Sequence, residues 1–160
     1  MASPSQGVIQ DVSQNNIADG SILAQTGGPF STSGLAASWG FNWSGISSNS
    51  QTGVTAEEDY VGHVALTSSA SNNLTGAVDF SEFSSNNGVF LDVVVNGPGL
   101  AIGGDGTTGD GNRNSLQAKI NSNPSGTIKF AAYVVNPNTV FVAGTDSNRV
   151  IAGTVSRQSK

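Results

Sequence analysis

The chain contains a single histidine, His63, and no cysteine. A Ser–His–Asp hydrolase would use His63 as its base, with Asp79 or Asp59 orienting the ring and a serine attacking. Serine is so abundant that one near His63 carries no information, and no Gly-x-Ser-x-Gly stretch occurs. An exposed or half-buried strand histidine is the ordinary role. Zinc is disfavoured as well, because one imidazole without thiolates cannot fill a tetrahedral shell. Glu57, Glu58, Asp59, Asp79, Glu82 and Asp92 could supply the two carboxylates of a glycosidase, but that chemistry needs a fixed separation across a cleft. Solvated loop charge explains the same residues. We therefore expect a protein that is not an enzyme, with a hydrolase as the third reading.

The glycine-rich loop 103–114 invites a calcium reading with Asp105, Asp110 and Asn112 as ligands. Gly103-Gly104-Asp105-Gly106 opens like the calcium-binding nonapeptide of β-helices, yet Thr108 stands where a ligand aspartate belongs. Asp110-Gly111-Asn112-Arg113-Asn114 opens like an EF-hand loop, yet Ser115 replaces its glycine and Asn121 its closing glutamate. A hairpin loop without metal is the simpler expectation, so no cofactor is expected apart from this calcium possibility. Trp39, Phe41 and Trp43 alternate and share one face of a strand. They are core residues first, and the best candidate lining for a cavity holding a small apolar ligand second. Lys129 and Lys119 could form an isopeptide cross-link, although Lys119 alternates against Leu116, Ala118 and Ile120 and so should point to water.

Composition narrows the setting. The 160 residues carry a net charge of −5, and only 11% of them are charged, against about 25% in ordinary soluble domains. The six basic residues do not cluster, which argues against nucleic acid as a partner. No apolar run approaches the roughly 20 residues of a membrane-spanning helix, so membrane insertion is not expected. Met1 to Ser5 is neither basic nor apolar, so an exported form would carry its signal upstream.

Alternating apolar residues separated by Gly, Asn, Ser and Pro give roughly ten short strands and no firm helix. Expected strands include 35–43, 60–67, 74–83, 89–95, 115–121, 127–135, 140–144 and 150–158. Thr55-Ala56-Glu57-Glu58 matches a helix capping box, and Asn96-Gly97-Pro98-Gly99 reads as a reversal. The fold class is all-β: an antiparallel meander in a closed or nearly closed barrel, with a two-sheet sandwich as the alternative.

One long-range pattern organises these strands. Setting Gly20 over Gly153, an offset of 133, also aligns Asn15 with Asn148 and Gln25 with Gln158. Val8-Ile9 then falls on Phe141-Val142, Ile17 on Val150, and Ser21-Ile22 on Thr154-Val155. Residues 1–26 thus read as the closing hairpin of a preceding repeat, packing on or swapping with a single all-β repeat domain over 27–160. The segments Asn73–Phe80, Phe130–Val135, Thr145–Gly153 and Gln158 resemble poorly characterised tandem β-repeat domains of large exported proteins of soil bacteria. That resemblance carries no catalytic residue. It implies a secreted or cell-surface setting and a structural or adhesive role. Neighbouring repeats, or other copies of the chain, would then be its partners.

Overall fold

The computed structural model describes residues 6–11, 18–26, 30–49, 52–69, 73–83, 88–101, 113–120 and 126–159. Ten strands form: β1 (Gln6–Asp11), β2 (Ala18–Leu23), β3 (Ala37–Ser48), β4 (Thr55–Leu66), β5 (Leu74–Glu82), β6 (Gly88–Ala101), β7 (Arg113–Ile120), β8 (Gly126–Asn136), β9 (Thr139–Gly144) and β10 (Arg149–Arg157). β3 to β10 pair in sequence order, every pair antiparallel, and β10 returns to β3 to close an eight-stranded barrel. The closed barrel is therefore the architecture, not the sandwich. β1 and β2 form a separate two-stranded sheet.

Period-two alternation fills the barrel. Trp39, Phe41 and Trp43 of β3 meet Tyr60, Val64 and Leu66 of β4, Val78 and Phe80 of β5, and Ile128, Phe130, Ala132 and Val134 of β8. The rings pack as offset stacks and tilted pairs: Phe41 on Trp43 at 4.0 Å, Trp43 on Phe130 at 4.5 Å, and Phe80 between Tyr60 and Phe90. Curling a sheet this tightly needs inward positions without side chains. At Gly62 an added Cβ would lie 2.4 Å from the Ala77 carbonyl and 2.9 Å from the Phe41 ring.

Three local expectations are corrected. Leu35 does not begin a strand. It sits in a turn whose amides bond back to Ser31 and Thr32, and the side chain, 1% exposed, plugs one barrel mouth while its carbonyl accepts from Trp39 Nε1. Thr55–Glu58 caps no helix, because β4 starts there and pairs with β3 along its whole length. Asn96–Gly99 does not reverse the chain. β6 runs through it as a bulge, still paired with β5 on one side and β7 on the other. Gly97 and Gly99 adopt positive φ, and Pro98 lies where the ladder is interrupted. Buried Asn73 supplies the missing ladder bonds. Its Oδ1 accepts from Leu100 N and its Nδ2 donates to Leu100 O, both at 3.1 Å. A Cβ on Gly99 would fall on that Oδ1.

The offset of 133 reappears in the pairing. Gln6↔Leu23, Gly7↔Ile22, Val8↔Ser21, Ile9↔Gly20 and Gln10↔Asp19 in β1–β2 become, residue for residue, the β9–β10 pairs. Those are Thr139↔Ser156, Val140↔Val155, Phe141↔Thr154, Val142↔Gly153 and Ala143↔Ala152. Register depends on turn length and on which face is apolar, so two stretches with this correspondence share more than composition.

Introducing Gly62→Ala should cost about 1–3 kcal/mol by forcing backbone shifts at the β4–β5 contact. Gly126→Ala, with nothing within 4 Å of the added carbon, should change stability by less than about 0.5 kcal/mol. Urea unfolding midpoints of the two variants would separate these cases.

Candidate functional site

The inward face is mostly apolar, with buried Asn73 and Asn114 toward one mouth and the ionisable groups gathered at the other. There β4 continues its alternation past Tyr60 to Glu58, β5 past Phe80 to Glu82, and β3 past Trp43 to Ser47. All three side chains are buried, Glu58 completely. Glu58 and Glu82 stand directly opposite on paired strands, which puts their Cβ atoms about 4.5–5.5 Å apart. The expectation of solvated loop charge is thus corrected for these two glutamates.

Glu58 has a donor on each oxygen. The Tyr60 hydroxyl donates to Oε2 at 2.9 Å, and Arg149 Nε donates to Oε1 at 2.5 Å from the far side of β3. Arg149 also lies 3.9 Å from Asp146 Oδ2. Asp146 in turn accepts from Lys129 N at 3.2 Å, and Asn148 O accepts from Ser48 N at 2.9 Å. The β9–β10 turn is thereby fastened to β8 and β3. Burial pushes the Tyr60 hydroxyl well above its usual range, with the Glu58 charge adding to the effect. Burial alone would push the Arg149 guanidinium down, but Tyr60 and Glu58 outweigh it and hold the group above its usual value. With both oxygens bonded and no exposed surface, Glu58 is built to hold strands together and offers no atom to a substrate. Arg149 carried no signal in the sequence. Glu58 and Glu82 did, in their parity with Tyr60 and Phe80.

The aromatic stripe lies where its alternation put it. Trp39 and Trp43 line an apolar cavity of about 30 Å³ together with Leu66, Leu100, Val140 and Val155 among others; Phe41 packs outside that lining. A cavity of about 150 Å³ is what takes benzene, so this space is far smaller than an aromatic ligand. Trp43 Nε1 is buried without an acceptor among the described residues.

The remaining described candidates lie outside the barrel: Asp59 and Asp79 line one open groove on its outer surface, with no serine nucleophile bonded to His63 among the described residues. His63 is exposed on the outer face of β4, opposite Gly40 and Ala77. Asp79 Oδ1 is engaged by Asp92 N at 2.7 Å, at a bulge where Asp92 has a φ of 53°. Lys119 and Lys129 are both exposed, which removes the buried setting an isopeptide cross-link requires. The calcium candidates Asp105, Asp110 and Asn112 lie outside the described residues. Among the described residues no three His, Asp or Glu side chains gather as a metal site, and no helix is long and apolar enough to cross a membrane.

No protein-family model matches the sequence, and no curated protein does. Among solved structures the chain is similar to a redesigned beta barrel, at 16% identity and a TM-score of 0.42, over 81% of this chain and 96% of that one.

Arg149→Ala should destabilise the barrel by about 3–5 kcal/mol, since it strands a buried carboxylate. Replacing Glu58 and Arg149 together with leucine should recover most of that loss. Tyr60 makes a second prediction. Its raised folded-state value means stability is fully present below about pH 10 and is lost as pH climbs beyond it. Tyr60→Phe should flatten that alkaline loss while costing about 1–3 kcal/mol at neutral pH, where Glu58 loses a donor. Urea midpoints measured from pH 7 to 11.5 would show both effects.

Proposed function

We propose that this chain is a non-enzymatic structural or adhesive repeat module of a secreted or cell-surface protein, joining others of its kind by strand addition. The observation that carries the reading is the pair of hairpins, β1–β2 and β9–β10, matched in sequence and in register at one offset. A barrel abolishes sheet edges, whereas an isolated two-stranded hairpin keeps both and is marginally stable alone. β1–β2 is therefore the part of the chain equipped to pair with another sheet. Glu58 spends its bonding capacity on Tyr60 and Arg149 of the barrel itself, which fits a module without chemistry. The apolar-ligand alternative draws no support from a cavity of about 30 Å³.

Deleting residues 1–26 should leave the β3–β10 barrel folded, with its far-UV spectrum intact, and abolish association between units joined or mixed at high concentration. Sedimentation of the full and shortened chains, and of a tandem duplicate, would read this. Equal assembly with and without the hairpin would dismiss it as the joining element.

A further inference from the structure

We infer that the edges of β8 and β3, which together hold β9–β10, form an acceptor for β1–β2 as well, and that β1–β2 enters it within its own chain in place of β9–β10. The inference deepens the strand-addition reading by naming the acceptor edges and the occupant, and it rests on that reading only for its biological sense.

Four observations carry it. The five pairs shared at an offset of 133 make β1–β2 the same two-stranded object, in the same register, as the resident hairpin. The end of β2 is already held at the correct mouth: Thr26 N donates to Val135 O at 2.8 Å, and Gln25 Nε2 donates to Val134 O at 2.7 Å. At that same mouth the resident hairpin ends, with Arg157 N bonded to Asn138 O and Gln158 N to Ser38 O. Gln158 is the residue to which Gln25 corresponds.

Chain length permits the exchange. In the resident pairing Arg157 lies opposite Trp39, so its counterpart Ala24 would lie there instead. The residues between Ala24 and Trp39 can reach about 50 Å when extended, whereas neighbouring strands are only about 4.8 Å apart.

The fourth observation is what favours the resident. Arg149, bonded to Glu58, corresponds to Asn16, and Val140, which lines the cavity, corresponds to Gly7. β9–β10 thus brings the charge that answers Glu58 and a side chain that fills space, and β1–β2 brings neither. Asp146, which caps β8, corresponds to Ser13, still an acceptor. The second hairpin is a weaker occupant of the same place.

The absence of cysteine from the chain makes a clean test possible in the full-length protein. Asn42 lies opposite Thr154, so Ser21, the counterpart of Thr154, would lie opposite Asn42 after exchange. Three double-cysteine forms would be treated with a short bismaleimide: Asn42→Cys with Thr154→Cys for the resident, Asn42→Cys with Ser21→Cys for the exchange, and Ser81→Cys with Ser21→Cys for chance collision. Each would be made in the natural background and with Asn16→Arg, which gives β1–β2 the missing charge without touching the resident. Arg149→Ala, which weakens the resident, provides a second background. The expected result is monomeric 21–42 product above the collision level, rising about tenfold in both variant backgrounds as the 42–154 product falls.

A 21–42 yield no higher than collision in all backgrounds, or product found only between two chains, would overturn the inference. Association of units through residues 1–26 without any 21–42 product would sink the exchange and leave the strand-addition reading standing. Monomeric 21–42 product without association would do the reverse.

Discussion

A carboxylate withdrawn wholly from water must be answered, and here the answer comes from across an intervening strand. Glu58 on β4 is met by Arg149 on β10, with β3 between them. The pair links the strand that completes the barrel to the second strand beyond the seam. Two apolar residues in their place should hold nearly as well, so stability alone does not explain the arrangement. Its effect is selective: a closing strand with a cation at that position satisfies Glu58 better than one without, and Tyr60 supplies the carboxylate's other donor. The bulk of the core, from Trp39 to Phe130, would accept many hydrophobic partners. The mouth favours one.

The opposite mouth solves a different problem by neutral means. Leu35 stoppers it from a turn outside the sheet, and Asn73 imitates a strand backbone where β6 bulges away through Gly97 and Gly99. Asn73 satisfies backbone groups of Leu100 that the bulge would otherwise leave buried and unpaired, and the Leu35 carbonyl takes the buried Trp39 indole N–H. One end of the barrel is thus secured by charge and the other by backbone mimicry.

These differences explain what could be read in advance. The aromatic stripe, the alternation of β5, β8 and β10, and the shared hairpin pattern were legible, because each depends on spacing within one or two strands. The meander with short connections pointed to a barrel over a sandwich for the same reason. Glu58 was masked by a local coincidence: Thr55-Ala56-Glu57-Glu58 satisfies a capping motif, and only the parity running back from Tyr60 shows that it faces inward. Arg149 lies 91 residues from its partner and has no local mark at all. Asn96-Gly97-Pro98-Gly99 misled because a bulge and a reversal draw on the same residues. Which one forms is settled by the flanking strands, here β5 and β7 gripping both halves of β6.

The connection between β2 and β3 is fixed at two points, by Thr26 on the Val135 carbonyl and by Leu35 in the barrel mouth. What separates them is a leash of fewer than ten residues. A tether that short confines the hairpin to a small volume around its own barrel, at an effective concentration in the millimolar range. Free molecules at micromolar concentration are at about a thousandfold disadvantage for any surface both can reach. Proximity, more than affinity, then decides which barrel a hairpin of this chain encounters first.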